Sequence, residues 1–215
     1  MIGTIGSLVE EAADRRRWPL AAGLYAAACT GAAALLGAAL GAAGQLGRGL
    51  ACAAAGCPGP PAAGALVVGT LALAYAAADL GLVPLPRPTL AHAVPVWWWR
   101  RWSPYAAALA YGGALGLGLT TRIYFGAFYV LCALAILQGD PGRGALLLGT
   151  YGAARALVLL PASWGAYHHR GASAEWLATS PYFDLVWAQR IVAIVLAVFG
   201  SQTVVTAVLA AFAPA

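Results

Sequence analysis

A chain of 215 residues that is 62% hydrophobic and 9% charged cannot cover a water-facing surface, since soluble domains carry about 25% charged residues. With a mean hydropathy of +0.78 it reads as an all-α, polytopic integral membrane protein, one domain with room for five or six spans of roughly 20 residues. The net charge of +5 is arginine alone, with no lysine. No basic face is interleaved with stacking aromatics, so the charge points to anionic lipid headgroups and away from nucleic acid.

Residues 1–17 form a cytoplasmic amphipathic lead, in which Ser7 and Glu10 have the spacing of a helix capping box. Glu10, Glu11, Asp14 and Arg15 to Arg17 precede the first apolar run, a pattern unlike a cleaved secretory signal. The first span is expected over residues 19–46, with Gly37 and Gly41 spaced to admit a neighbouring backbone. GRGLACAAAGCPGPPAAG then reads as a break and an outer loop. Cys52 and Cys57 lie in it and are expected to form a short-loop disulfide on an oxidising side. Their spacing matches neither a redox Cys-x-x-Cys nor a zinc site.

The second span, residues 64–85, carries Asp79 near its end. In the following stretch, RPTLAHAVPVWWWRRW, Trp97 to Trp102 read as an interfacial aromatic belt with basic anchors at the inner leaflet. Residues 104–138 are apolar except for Arg122, GDPGRG is a turn, and residues 144–162 form the next span with Arg155 inside it. A loop containing His168, His169 and Arg170 leads to the last span, residues 190–212. The two histidines are too isolated to make a metal site.

Two topologies are open, and they differ at residues 104–138. One long helix broken near Thr120 to Arg122 gives five crossings; two short helices turning at those residues give six. With a cytoplasmic N-terminus, five crossings put Arg15, Arg16, Arg17, Arg87, Arg100, Arg101, Arg170 and Arg190 inside and only Arg48 and Arg143 outside. The positive-inside rule favours that count. About 34 residues make a helix of roughly 50 Å, too long for a straight span of about 30 Å, so it must tilt, bend or unwind. Gly116, Gly118 and the two threonines weaken it in the right place.

The segment YGGALGLGLTTRIYFGAFYVLCALAILQGDPGRGALLLGTYGAARALVLLP resembles the CcdA/DsbD-type transmembrane family of cytochrome c biogenesis proteins and thiol-reductant carriers. Its layout is a glycine-rich half-helix, a break, an apolar half, a short turn and a span with a Tyr-x-x-Gly pattern. Residues 64–87 resemble that family's third span and residues 21–46 its second. The resemblance implies an inner-membrane, bacterial protein with broken helices meeting at the bilayer midplane, suited to a solute or ion site. The chain departs from the family at its reactive positions. Thr121 and Arg122 stand where the family has Pro-Cys, and no counterpart of the family's first span precedes Trp18.

Arg122 and Arg155 are costly at membrane depth and call for a polar or wet surrounding. They are the candidate binding residues, with Asp79 as counter-charge and Thr121, Tyr124 and Tyr151 as hydroxyl donors. The bland alternatives are snorkelling for Arg122, a bond to freed carbonyls for Arg155, and headgroup contact for Asp79. Cys29 and Cys132 sit in apolar helices with nothing nearby to activate a thiol. No phosphate loop, catalytic triad or paired carboxylates appear, and neither cofactor nor metal is expected. The reading is transport of a small solute or ion. The alternatives are a thiol-redox or biogenesis role, and an assembly subunit completed by another membrane chain or a second copy.

Overall fold

The computed structural model describes residues 18–55, 61–85, 102–118, 126–168 and 185–212. Among these residues the chain is entirely helical: α1 (Trp18–Ala55), α2 (Pro61–Asp79), α3 (Pro104–Gly116), α4 (Ala127–Gln138), α5 (Pro141–His168) and α6 (Leu185–Phe212). Two stretches, Pro19–Ala53 and Gln189–Ala210, are long and apolar enough to cross a membrane; the apolar stretches Ala63–Asp79 and Ala127–Gln138 are shorter. The all-helical expectation holds. Residues 104–138 hold two separate helices, α3 and α4, and the expected break at Thr120 to Arg122 lies outside the described residues.

Helix α1 outruns the apolar run that defines it in sequence. The segment read as a loop from Gly47 onward stays helical to Ala55, so Cys52 is on the helix. Gly47 and Gly49 each cost about 1 kcal/mol relative to alanine, too little to stop a helix before the first proline at 58 when its other residues are mostly good formers. One face of α1 is buried along most of its length, at Ala21, Tyr25, Cys29, Ala33, Gly37, Gly41 and Gly44, and the opposite face is exposed. That spacing of three to four residues is one helical stripe.

The chain divides into two compact units. The first combines the start of α1, α3 and most of α5. Its core is Ala21, Tyr25, Cys29, Ala107, Ala108, Tyr111, Leu115 and Ala156. Small residues dominate because the backbones touch: a Cβ on Gly112 or Gly116 would run into the carbonyl oxygens of Tyr25 and Cys29. Ser103 caps α3, its hydroxyl accepting from the Ala106 N–H at 3.3 Å, with Pro104 in the first turn. The helix ends where Leu117 N–H bonds back to Gly113 and Gly118 takes a φ of 72°, a left-handed value natural to glycine.

The second unit holds the rest of α1, α2, α4, the first turns of α5, and α6. Its core, Val68, Ala72, Tyr75, Ala76, Val130 and Leu196, is joined by Tyr129 stacked on Tyr75 at 5.1 Å. Helix α2 packs most extensively against α6. The closest approach is between two glycines: a Cβ on Gly200 would lie 2.9 Å from the Gly69 carbonyl oxygen, and one on Gly69 would lie 3.1 Å from that of Gly200. Helix α4 ends at Gly139 in the left-handed conformation. Asp140 Oδ1 then accepts from Gly142 N–H at 2.8 Å and Arg143 N–H at 3.1 Å, and Pro141 opens α5. The GDP tripeptide thus stops one helix and starts the next.

Candidate functional site

Of the residues singled out by sequence, Arg122, Thr121, Tyr124 and Cys57 lie outside the described residues. Arg155, Tyr151, Asp79 and Cys52 are described. Arg155 and Tyr151 belong to the first unit, Asp79 and Cys52 to the second.

Arg155 sits on α5, half-buried, with its Nη1 fully enclosed. Tyr151 lies one turn earlier on the same face of the helix and is also half-buried. Across from them, on α1, the guanidinium is within electrostatic range of the Tyr25 hydroxyl and the Cys29 thiol. Tyr25 is 7% exposed; its hydroxyl is enclosed and has no hydrogen-bond partner among the described residues. Its ring is fixed by stacking on Tyr111 of α3, with centroids 5.8 Å apart. A buried hydroxyl without a partner is expensive, about 1–3 kcal/mol, and stays in place only where something else holds the ring or satisfies the oxygen. Cys29 is wholly buried and donates its thiol proton to the Gly152 carbonyl at 3.5 Å.

These side chains converge because α1, α3 and α5 present alanine and glycine to one another. Gly152 and Gly149 of α5 face Ala33 and Ala34 of α1, bringing the helices close enough to put Arg155 within electrostatic range of Tyr25. The result is a cation beside a phenolic donor and an apolar thiol. It can bind and orient an anion or a hydrogen-bond acceptor. Among the described residues it holds no general base and no second thiol for disulfide exchange.

In the second unit Asp79 is buried at the C-terminal end of α2. Its Oδ2 accepts a 2.8 Å hydrogen bond from Gly126 N–H, immediately ahead of α4. A carboxylate at a helix N-terminus meets unsatisfied amides and the positive end of the dipole. Asp79, expected as counter-charge to an arginine, holds the first amide ahead of α4 among the described residues; Arg122 lies outside them. Glycine is needed at 126, because a Cβ there would lie 2.6 Å from that of Tyr75.

Sequence reasoning passed over two features. Tyr25 carries no signal in the sequence, since only tertiary structure reveals where its hydroxyl ends up. Arg48 counted as an outer-loop charge, whereas it belongs to α1 and its Nη2 donates to the Gln138 carbonyl at the end of α4. Among the described residues, no group of three or more His, Cys, Asp or Glu side chains gathers in one place. No protein-family model, curated protein or solved structure matches this chain.

Proposed function

We propose that this chain is a multi-pass protein of the bacterial inner membrane, with a cytoplasmic N-terminus, that carries a small anionic solute or ion through a site built on Arg155 and Tyr25. Five crossings fit the arginine distribution best, and a distant relation to the CcdA/DsbD-type carriers fits the placement of its glycines. The membrane reading draws on α6, where Ile191, Ile194, Val195, Val198, Val205 and Leu209 all point outward. An exposed apolar surface of that kind suits lipid and is unfavourable in water.

The observation that carries the solute reading is the enclosed Tyr25 hydroxyl beside a charged guanidinium. A side-chain hydroxyl held in an apolar core with no acceptor among the described residues is arranged for a ligand or water that comes and goes. Cys29 is buried with no other described cysteine in its unit, which supports a binding role over a thiol relay, since a relay needs a second cysteine within exchange distance.

The test is flux of halide or nitrate into liposomes reconstituted with the protein. Tyr25→Phe is expected to lower the rate roughly tenfold or more, the worth of one hydrogen bond to a charged group, about 1.5–3 kcal/mol. Its melting temperature should stay level or rise, because an unsatisfied polar group is removed. Arg155→Gln should abolish the flux. Wild-type flux equal to that of protein-free vesicles, or flux indifferent to both substitutions, would refute the proposal.

A further inference from the structure

The second unit contains an open groove of about 780 Å³, within the range of about 300–1,000 Å³ typical of small-molecule sites. It lies where α1 ends and α2 begins, and the last turn of α4 and one face of α6 complete it. The walls are almost wholly apolar and shallow, formed by small residues such as Gly47 and Gly64 with Val68, Leu134 and Phe199 around them. Arg48 also lines the groove and is its only charged residue among the described ones. Its guanidinium rests against Gly139, in space that any side chain at 139 would occupy, and donates to the Gln138 carbonyl.

Two features of Arg48 bear on what the groove holds. The contact with Gln138 places a cation at the negative end of the α4 dipole, which orients the guanidinium. That bond uses one of five N–H donors. Arg48 makes no other hydrogen bond among the described residues and is exposed, so the rest of its donor fork is available for bidentate recognition. Gln138 adds an acceptor: its Oε1 is buried along the groove with no partner among the described residues. A ligand matching these walls has a long apolar body, a negatively charged oxygen-rich end and a hydroxyl donor close to that charge.

We infer that this groove is a binding site for an anionic glycerophospholipid, with one acyl chain along the glycines and the phosphate on Arg48. The inference rests on the membrane reading above and is independent of the solute reading. The groove's position suits it, since helix ends lie at the level of headgroups, and an arginine there extends its charge to the interface while its stem stays among apolar groups. The choice of an anionic lipid over a zwitterionic one follows from charge complementarity: Arg48 has no carboxylate partner among the described residues.

The test reconstitutes the full chain into vesicles of equal phosphatidylglycerol and phosphatidylcholine, floats them, extracts the protein in mild detergent and measures bound lipid by native mass spectrometry. Flotation reads the membrane reading by itself; a chain that fails to float loses both inferences. Wild type is expected to float and retain one phosphatidylglycerol in at least fivefold preference to phosphatidylcholine. Arg48→Gln should remove the preference. Gly64→Leu fills the groove with Arg48 intact; since a Cβ at 64 meets nothing within 4 Å, its helix should form normally, and it should lose the retained lipid altogether. Equal retention of the two lipids by wild type, or unchanged phosphatidylglycerol retention in Gly64→Leu, would overturn the assignment.

Discussion

Asp79→Ala removes the carboxylate that holds the first amide ahead of α4, and Asp79→Asn removes only its charge. The hydrogen bond from Gly126 N–H is 2.8 Å long and its acceptor is 9% exposed, so water compensates little when it is lost. Hydrogen bonds to charged groups contribute about 1.5–3 kcal/mol net, and a negative charge at a helix N-terminus adds about 0.3–1 kcal/mol. Alanine forfeits both, about 3 kcal/mol. Asparagine keeps an oxygen acceptor in place and is expected to cost about 1 kcal/mol, the difference between a charged and a neutral bond. For a chain of this size, 1 kcal/mol moves the melting temperature by about 2–4 °C. Thermal unfolding in detergent should therefore show losses of roughly 6–12 °C for alanine and 2–4 °C for asparagine. If the two variants fall equally, the charge itself is what matters. Asp79 would then belong to a buried ion pair, whose disruption costs about 3–5 kcal/mol whatever the shape of the replacement. That result would refute the capping account and favour an arginine partner.

Gly200→Val should destabilise the second unit by about 1–3 kcal/mol, since its branched side chain must displace the Gly69 carbonyl and Leu73. Gly23→Ala, whose Cβ meets nothing within 4 Å, should leave the melting temperature unchanged or slightly raised; equal effects from the two would contradict the close approach. Alkylation followed by intact mass measurement tests the proposed Cys52–Cys57 disulfide. Two modified thiols are expected in the unfolded, unreduced protein and four after reduction; four in both would eliminate the bond.

Features governed by neighbours in sequence were legible in advance. GDPGRG reads as a turn between helices because Gly139, Asp140 and Pro141 each act on the backbone within a few residues. Apolar composition marked the helical runs for the same reason. The end of α1 was misread because Gly47, Gly49 and Cys52 look like a loop, yet no single weak helix former outweighs the run of alanines around them. At the candidate site, Arg155 stood out through its charge in an apolar stretch. Tyr25 did not, because its significance lies in a hydroxyl that Tyr111 and α5 enclose from far along the chain. The bond from Asp79 to Gly126 was equally hidden, since a backbone amide is a partner that one-letter code does not display.

The glycine-to-glycine seam between α2 and α6 has a consequence during biosynthesis. Roughly 100 residues separate the two helices, and at about 5–20 residues per second the ribosome takes roughly 5–20 s to supply the second after the first. Throughout that interval α2 has emerged with its main partner still unmade, and its bare backbone at Gly69 offers a smooth face to any other helix. A chain stalled before residue 185 would present that face indefinitely, which makes α2 the natural point of contact for chaperones and, when they fail, for proteases.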